Sequence, residues 1–390
     1  MSKKKVSFIG LLTTVSLMGV MLTGCGSTPA ADSKEIKIGG NFEMTGGIAN
    51  FGKQTVNGIQ LAFKEANAAG GVLGKQITFV LADNKSEPSE ATNATTKLIT
   101  QDKVSLILGP VASSNVLATL QVGQDNKVAV LTPTGTNAKI TVDESGKVKP
   151  FAFRSCFIDP FQGNVMANFA AKTLKAKTAV IYIDSSSDYS KGLSDSFEAA
   201  FVKSGGVIVG KEAFLQKDQD FKSTLTKIKV MNADTIFIPA YYEEVGKIVK
   251  QARELGITSP LIGTDGWDDP KVVEIAGVDA INNTYFSNHY SAQDTDPRIQ
   301  KFVAAYKAEY GQEPSALAAL GYDAALMTID AIKRANSADP VKVRDALEQT
   351  KDLQVVTGII TLDASHNPIK SGVVIEMKDG KQTFKEKINP

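Results

Sequence analysis

The sequence predicts an α/β chain built as two doubly wound parallel-sheet lobes. Three observations carry that prediction. The chain has 390 residues, more than one ordinary hydrophobic core accommodates. From residue 36 onward short apolar strands alternate with amphipathic helices, the pattern of parallel sheets with right-handed crossovers. The strand at 104–108 is almost wholly apolar, as expected where helices cover both faces of a sheet. The alternation restarts after Pro150, which puts a break between the lobes near residues 150–160.

Taken in order, the first half reads as a strand at 36–40, a helix at 52–69, a strand at 77–81 and a helix at 88–100. Val56, Ile59, Leu61, Ala62, Phe63 and Ala66 give the first helix its apolar face. Gly70-Gly71 stops it. Ser86 or Pro88 opens the second, Pro88 at a position where a missing N–H costs nothing. A strand at 104–108, a helix at 113–124 and a strand at 128–131 follow. The second half gives strands at 178–183, 207–209, 235–238 and 260–263. Helices at 191–204, 221–230 and 243–255 alternate with them. The last stretch changes character, with helices at 297–310, 315–334 and 341–349.

The N-terminus has its own logic. Lys3, Lys4 and Lys5 precede an almost uncharged run over 6–20 that is short for a spanning helix. Leu22-Thr23-Gly24-Cys25 closes it. This leader resembles that of bacterial lipoproteins, whose lipobox it matches. The resemblance implies cleavage after residue 24 and acylation of Cys25. Two or three acyl chains, palmitate among them, hold a chain at a membrane far better than one. Residues 25–34 then read as a lipidated flexible tether. With Cys25 acylated, Cys156 has no disulfide partner and reads as a small buried residue.

Charge is balanced at 43 basic against 42 acidic residues. Residues 1–24 hold three Lys and no acid, which leaves 40 against 42 in the remainder. No basic excess directs the chain to nucleic acid. His289 and His366 are the only histidines and form no metal-ligand spacing, so no metal or cofactor is expected. Gly70-Gly71-Val72-Leu73-Gly74-Lys75 lacks the P-loop spacing, and Gln76 stands where Ser or Thr is required. It also follows a helix and precedes a strand, the reverse order. No Gly-x-Ser-x-Gly elbow occurs. No catalytic residue is expected, and an enzyme is the weaker class.

In open α/β sheets ligands bind beyond the carboxyl ends of strands. That rule selects a few loops. Strand 104–108 runs into Gly109-Pro110-Val111-Ala112-Ser113-Ser114 at the start of a helix. Hydroxyls there, beside unbonded N–H groups, suit a carboxylate. Simple helix capping by Ser113 is the competing reading. Strand 128–131 runs into Thr132-Pro133-Thr134-Gly135-Thr136, a hydroxyl-rich turn. Strand 260–263 runs into Thr264-Asp265-Gly266-Trp267, where an acid and a ring suit a cation. Tyr189 and Tyr241 stand at two further strand ends, where aromatics pack on ligands or cap a core. Donors, one acid and several rings together match a zwitterion.

From about residue 35 to the C-terminus the chain resembles the branched-chain amino acid (leucine/isoleucine/valine) binding proteins of ABC importers. The stretches that carry the resemblance are Met44-Thr45-Gly46, residues 58–74 (GIQLAFKEANAAGGVLG) and Gly109-Pro110 with Ser113-Ser114. Thr132-Pro133, Asp188-Tyr189-Ser190-Lys191-Gly192, Tyr241 with Val245-Gly246, and Gly321-Tyr322-Asp323-Ala324 complete it. The resemblance implies the type I periplasmic-binding-protein fold, a Venus-flytrap architecture with a three-strand hinge. The lobes would then comprise 35–155 plus 288–370 and 156–287 plus 371–390.

It also implies a site. Ser113, Ser114 and Thr136 would hold the ligand carboxylate, and Thr134 and Asp265 the ammonium. Phe51, Tyr189, Tyr241 and Trp267 would form the aromatic wall. Asp265 is one methylene shorter than the Glu common in amino acid binders. Phe51 keeps an apolar wall without a polar handle. Trp267 has no firm counterpart, and either narrows the side-chain pocket or covers the hinge side. The implied function is a monomeric, lipid-anchored receptor on the outer face of the cytoplasmic membrane. It would pass an amino acid to ABC importer permease subunits. The alternatives are a receptor or sensor for another small amino acid, amide or carboxylate, and a secreted hydrolase.

Overall fold

The computed structural model describes residues 34–389. The leader, Cys25 and all of the tether but Lys34 lie outside the described residues. The first lobe opens with β1 (Glu35–Phe42), α1 (Ala49–Ala68), β2 (Gln76–Asp83) and α2 (Pro88–Thr100). It continues with β3 (Ile107–Leu108), α3 (Ser113–Asn126), β4 (Val130–Thr132) and β5 (Ala152–Arg154). These strands form one parallel sheet in the order β2-β1-β3-β4-β5.

The chain then passes to a second sheet. Here α4 (Asp159–Asn168) runs on into a π turn at Phe169–Thr173. β6 (Thr178–Asp184), α5 (Asp188–Lys203), β7 (Val207–Phe214), α6 (Lys222–Val230) and β8 (Thr235–Phe237) follow. Next come α7 (Tyr242–Glu254), β9 (Leu261–Gly263), a 3₁₀ turn at Asp265–Trp267, α8 (Lys271–Ala276) and β10 (Thr284–Asn288). The parallel part of this sheet runs β10-β9-β8-β6-β7.

The chain returns to the first lobe with α9 (Pro297–Tyr310), α10 (Ala316–Ala335) and α11 (Pro340–Glu348). α10 lies directly on α1. A Cβ at Gly58 would fall 1.9 Å from the Ala318 carbonyl oxygen, and one at Gly321 would fall 2.2 Å from that of Thr55. Two glycines thus let the helix backbones approach more closely than side chains allow. A small hairpin of β11 (Leu353–Val355) and β12 (Gly358–Ile360) follows.

A third passage leads to β13 (Gly372–Lys378) and β14 (Lys381–Ile388), which extend the second sheet antiparallel beyond β10. Their turn is Asp379-Gly380, both at positive φ (51° and 71°), the geometry of a tight hairpin. The three passages between sheets therefore fall at 155–158, 289–296 and 361–371.

Several elements differ from the sequence-based expectation. α5 starts at Asp188 rather than 191, because Ser187 caps it by accepting from the Ser190 N–H. That puts Tyr189 in the first helical turn. β3 keeps only two of the five expected residues. α4, α8, β5 and β10 to β14 were not expected from spacing. α4 has no clean apolar stripe, and β5 is three residues long. Among the described residues no helix is long and apolar enough to cross a membrane.

Candidate functional site

The first wall of the site comes from the loops after β3 and β4. Gly109 has φ +95°, and a Cβ there would fall 2.2 Å from the Asn41 carbonyl oxygen, so the turn after β3 needs glycine. Glu43, just past β1, is fully buried. Its Oε2 accepts from the Val111 N–H (3.0 Å), and its Oε1 from the Ala112 N–H (3.1 Å) and Asn115 Nδ2 (2.8 Å). Burial pushes this carboxyl up, and the three donors pull it back. Glu43, not Ser113, therefore secures the start of α3. Ser113 is left to face the cleft, with its hydroxyl accepting from the Asn137 N–H (3.3 Å).

The two loops are laced together. Thr134 Oγ1 donates to the Val111 carbonyl (3.1 Å) and Thr132 Oγ1 to that of Pro110 (2.7 Å). Buried Arg154, at the end of β5, donates to the Gly135 (2.9 Å) and Asn137 (2.8 Å) carbonyls. Phe51, in the first turn of α1, completes this wall.

The second wall belongs to the other lobe. Tyr189 and Tyr241 stack face to face, 4.9 Å between centroids and 10° between planes. The Tyr189 hydroxyl donates to Asp265 Oδ1 (2.7 Å), lies 2.7 Å from Thr264 Oγ1 and accepts from the Gly266 N–H (2.9 Å). Burial and then the Asp265 charge hold that phenol well above its ordinary range. Asp265 Oδ2 meets His289 Nε2 at 2.9 Å. Its N–H donates to Gln162 Oε1 (3.3 Å), which also accepts from Ser287 Oγ (2.9 Å).

The walls meet. Phe51 packs edge-on against Tyr241 (5.9 Å) and Tyr242 (4.8 Å). Between them lies a cavity of about 20 Å³. Phe51, Val111, Ser113, Thr134 and Leu317 line it from one lobe, and Tyr189, Tyr241, Asp265 and Gly266 from the other. Space of this size admits a water or so. Cavities of about 290, 400 and 490 Å³ lie elsewhere, but none of them opposes hydroxyls and a helix N-terminus to an acid and stacked rings.

The structure thus brings Phe51, Ser113, Thr134, Tyr189, Tyr241 and Asp265 together. It does not bring Ser114, Thr136 or Trp267 to the cavity lining. Ser114 Oγ donates to Asp188 Oδ2 (2.9 Å) and accepts from the Asp188 N–H (3.1 Å), so it joins the lobes beside the site. Thr136 is fully buried, its hydroxyl has no partner in good hydrogen-bond geometry among the described residues, and its carbonyl accepts from the Asp159 N–H (2.9 Å). Trp267 is 1% exposed, and its Nε1 donates to the Ile238 carbonyl (2.9 Å). A Cβ at Gly263 would sit 2.1 Å from the indole, which fixes the ring behind the strand end. It neither narrows the pocket nor lines the cleft.

Sequence reading missed Glu43, Asp159, Gln162 and His289. Glu43 lies three residues beyond the strand predicted at 36–40 and just past β1, where nothing in the spacing marks it. Asp159 is buried, and among the described residues neither carboxyl oxygen has a partner in good hydrogen-bond geometry; burial pushes it up to about 8, against a weaker opposing pull from the nearby Thr136 hydroxyl. Nothing in the chain near Gln162 or His289 announces that both reach Asp265. Among the described residues no cluster of His, Cys, Asp or Glu can hold a metal ion.

Comparison with known proteins gives the family. The periplasmic binding protein family matches residues 35–382. The Leu/Ile/Val-binding protein BraC3 of Rhizobium johnstonii is 30% identical over 352 residues, covering 90% of this chain and 93% of its own. The crystal structure of the leucine binding protein LivK of Thermotoga maritima is 41% identical with a TM-score of 0.86, covering 91% of this chain and 99% of that one. LivJ of Streptococcus pneumoniae, a branched-chain amino acid transporter substrate binding protein solved in complex with isoleucine, is 39% identical with a TM-score of 0.85. It covers 91% of this chain and 100% of its own. Members of the family are extracytoplasmic solute-binding proteins, not enzymes. The match spans nearly all the described residues, and the chain belongs to the periplasmic binding protein family.

Proposed function

We propose that this protein captures an α-amino acid of the leucine, isoleucine and valine class between its lobes and delivers it to an ABC importer. The observation that carries the reading is the opposition of two chemistries across one cleft. Ser113 and the start of α3 offer donors that suit a carboxylate. Asp265 offers a buried negative charge that suits an ammonium, and desolvation strengthens both contacts. Phe51, Leu317, Tyr189 and Tyr241 supply apolar surface for the ligand's aliphatic side chain. In this reading the ligand first meets the wall of Ser113 and Thr134. Closure about the three passages then adds Tyr189, Tyr241 and Asp265. Only the closed form makes both sets of contacts, so binding favours it. Thr136, Ser114 and Trp267 support the walls from behind or beside.

The lobes divide near residues 155, 287 and 370 in this proposal. The receptor acts as a monomer, held by acyl chains on Cys25 at the outer face of the cytoplasmic membrane. Permease subunits recognise the closed form. The BraC3, LivK and LivJ names support the ligand class. Calorimetry with the twenty amino acids tests the reading, with leucine, isoleucine or valine expected to bind most tightly. Asp265→Ala is expected to weaken that binding by roughly 100-fold, the cost of removing one partner of a buried charged contact. Its thermal melting should remain cooperative. Unchanged leucine affinity in that variant refutes the assignment of Asp265 to the ammonium.

A further inference from the structure

We propose that His289 is a positioning residue, holding Asp265 for the ligand's ammonium, and that its protonation sets the acid limit of capture. The inference rests on the amino acid reading above. Asp265 has two carboxylate oxygens, and each has one protein partner. Tyr189 holds Oδ1 and His289 Nε2 holds Oδ2, at 2.7 and 2.9 Å. Those two contacts fix the plane of the carboxylate while leaving further lone pairs for an incoming N–H. Tyr189 reaches Asp265 from α5 of the same lobe. His289 comes from elsewhere: it directly follows β10, where the chain passes back to the first lobe. Its ring stacks on Phe157, in the first passage, at 3.6 Å and 20°. The orientation of the counter-ion is thus tied to two of the three chain passages between the lobes.

Proton placement follows from the contacts. Nε2 must carry the hydrogen to donate to a carboxylate. The ring is buried, and Nδ1 has no hydrogen-bond partner among the described residues. A neutral imidazole with a bare Nδ1 fits that setting, whereas an imidazolium would bury an unpartnered donor. Burial also pulls this histidine below its ordinary 6.5, outweighing the opposing pull of Asp265. The Asp268 charge adds to the pull of Asp265, and the Lys370 ammonium works against a charge on the ring. Behind the ring a cavity of about 290 Å³ is bordered by Asp294, Asp296, Arg298 and Lys387. It gives a proton a route from solvent.

The consequence has a sign. With the ring neutral, Asp265 presents a full negative charge to the ammonium. Protonation pairs Asp265 internally and sets a positive charge beside the ligand's own. Ligand binding therefore disfavours the imidazolium and expels its proton, and affinity falls as pH falls through the lowered value of this buried ring. A free amino acid keeps both its charges between about pH 5 and 7. Asp159, pushed up to about 8 and acting on Asp265, titrates at the upper end of the tested range, and it and Glu43 are present in every variant compared, so their contribution cancels between variants.

The test is calorimetry with leucine in steps from about pH 7.5 down to about pH 4.5, in buffers of different ionisation enthalpy. Wild type is expected to bind more weakly at the lower pH and to release protons on binding. His289→Leu is expected to lose roughly tenfold at the higher pH, the worth of one hydrogen bond to a charged group. His289→Gln supplies an amide donor near the place of Nε2. It should recover most of that loss and show neither the extra pH slope nor the proton release. Either His289→Leu binding like wild type, or His289→Gln keeping the wild-type slope and proton release, overturns the inference. Should His289→Leu not fold, the slope of His289→Gln decides alone. Wild type that binds none of the twenty amino acids at the higher pH overturns the amino acid reading itself, and this inference with it.

Discussion

The two lobes are the same sheet used twice, and they face the cleft with opposite chemistry. Both order their parallel strands alike, β2-β1-β3-β4-β5 in one and β7-β6-β8-β9-β10 in the other. Each also buries a carboxylate at the cleft, and the two are spent differently. Glu43 turns both oxygens to the main chain and Asn115, so its lobe shows the cleft hydroxyls and a helix start. Asp265 lines the cavity, held there by a phenol and an imidazole. A shared strand order therefore fixes where a site lies, while the loop residues after the strands fix its sign. On this view Glu43 belongs to stability and Asp265 to affinity, and mutations should separate them.

The largest effect is expected at Glu43. Glu43→Ala strands two buried N–H groups and one amide donor. The cost should be about 3 kcal/mol, in line with buried groups left unsatisfied. Urea unfolding should show it as a lower midpoint with an unchanged slope. Asp265→Ala should cost far less stability and far more leucine affinity. Equal stability losses in the two variants would erase the distinction between the walls.

Asp159 gives the next effect, and it depends on pH. Its folded value of about 8 stands above the ordinary 3.8. A raised carboxyl adds stability that is full below pH 3.8 and is lost as pH rises through 8. Asp159→Asn removes that loss. The variant should gain a few kcal/mol over wild type at about pH 8 and little at about pH 4. Melting temperatures of both proteins across this range check it, and a constant difference would refute a carboxyl raised by burial.

Much of this architecture was legible in the sequence, for physical reasons that also explain the gaps. Strands such as 77–81 and helices such as 88–100 carry period and caps together, and periodicity finds them. The loop rule found Ser113, Thr134 and Asp265 because a strand end is a sequence feature. The Asp379-Gly380 dipeptide is a hairpin signal, but the flanking β14 is mostly exposed and polar, which leaves no apolar alternation to mark the strand. Glu43, Gln162 and His289 were not legible. Each acts on a residue tens of positions away, so only folding brings it there. Trp267 illustrates the converse: a large ring beside an acid suggests a ligand wall, and it proves to be a brace under Gly263.

Trp267 also provides a smaller test of the same division. Trp267→Phe loses the bond to the Ile238 carbonyl, worth about 1 kcal/mol of stability. Because the indole does not reach the cavity, leucine affinity should change less than about threefold. A tenfold loss would put the ring in the pocket after all.

The smallest expected effect probes how the walls meet. The segment that carries Asp265 continues to Asp268 and Asp269, and both reach across to the first lobe. Asp269 accepts from Asn50 Nδ2 (3.3 Å) and Gln54 Nε2 (2.8 Å), and Asp268 Oδ2 from the Ala316 N–H at the start of α10 (2.7 Å). One short stretch thus holds both the counter-ion and a latch. Gln54→Ala removes one latch bond, which exists only while the lobes touch. Its loss should leave ligand contacts intact and shift the closing equilibrium by about 0.5–1 kcal/mol. Leucine should bind roughly threefold more weakly, with most of the change in the dissociation rate. Stopped-flow release of leucine measures this directly. A slower association with unchanged release would place Gln54 in the entry path rather than the latch, since a bond formed on closure cannot slow the first encounter.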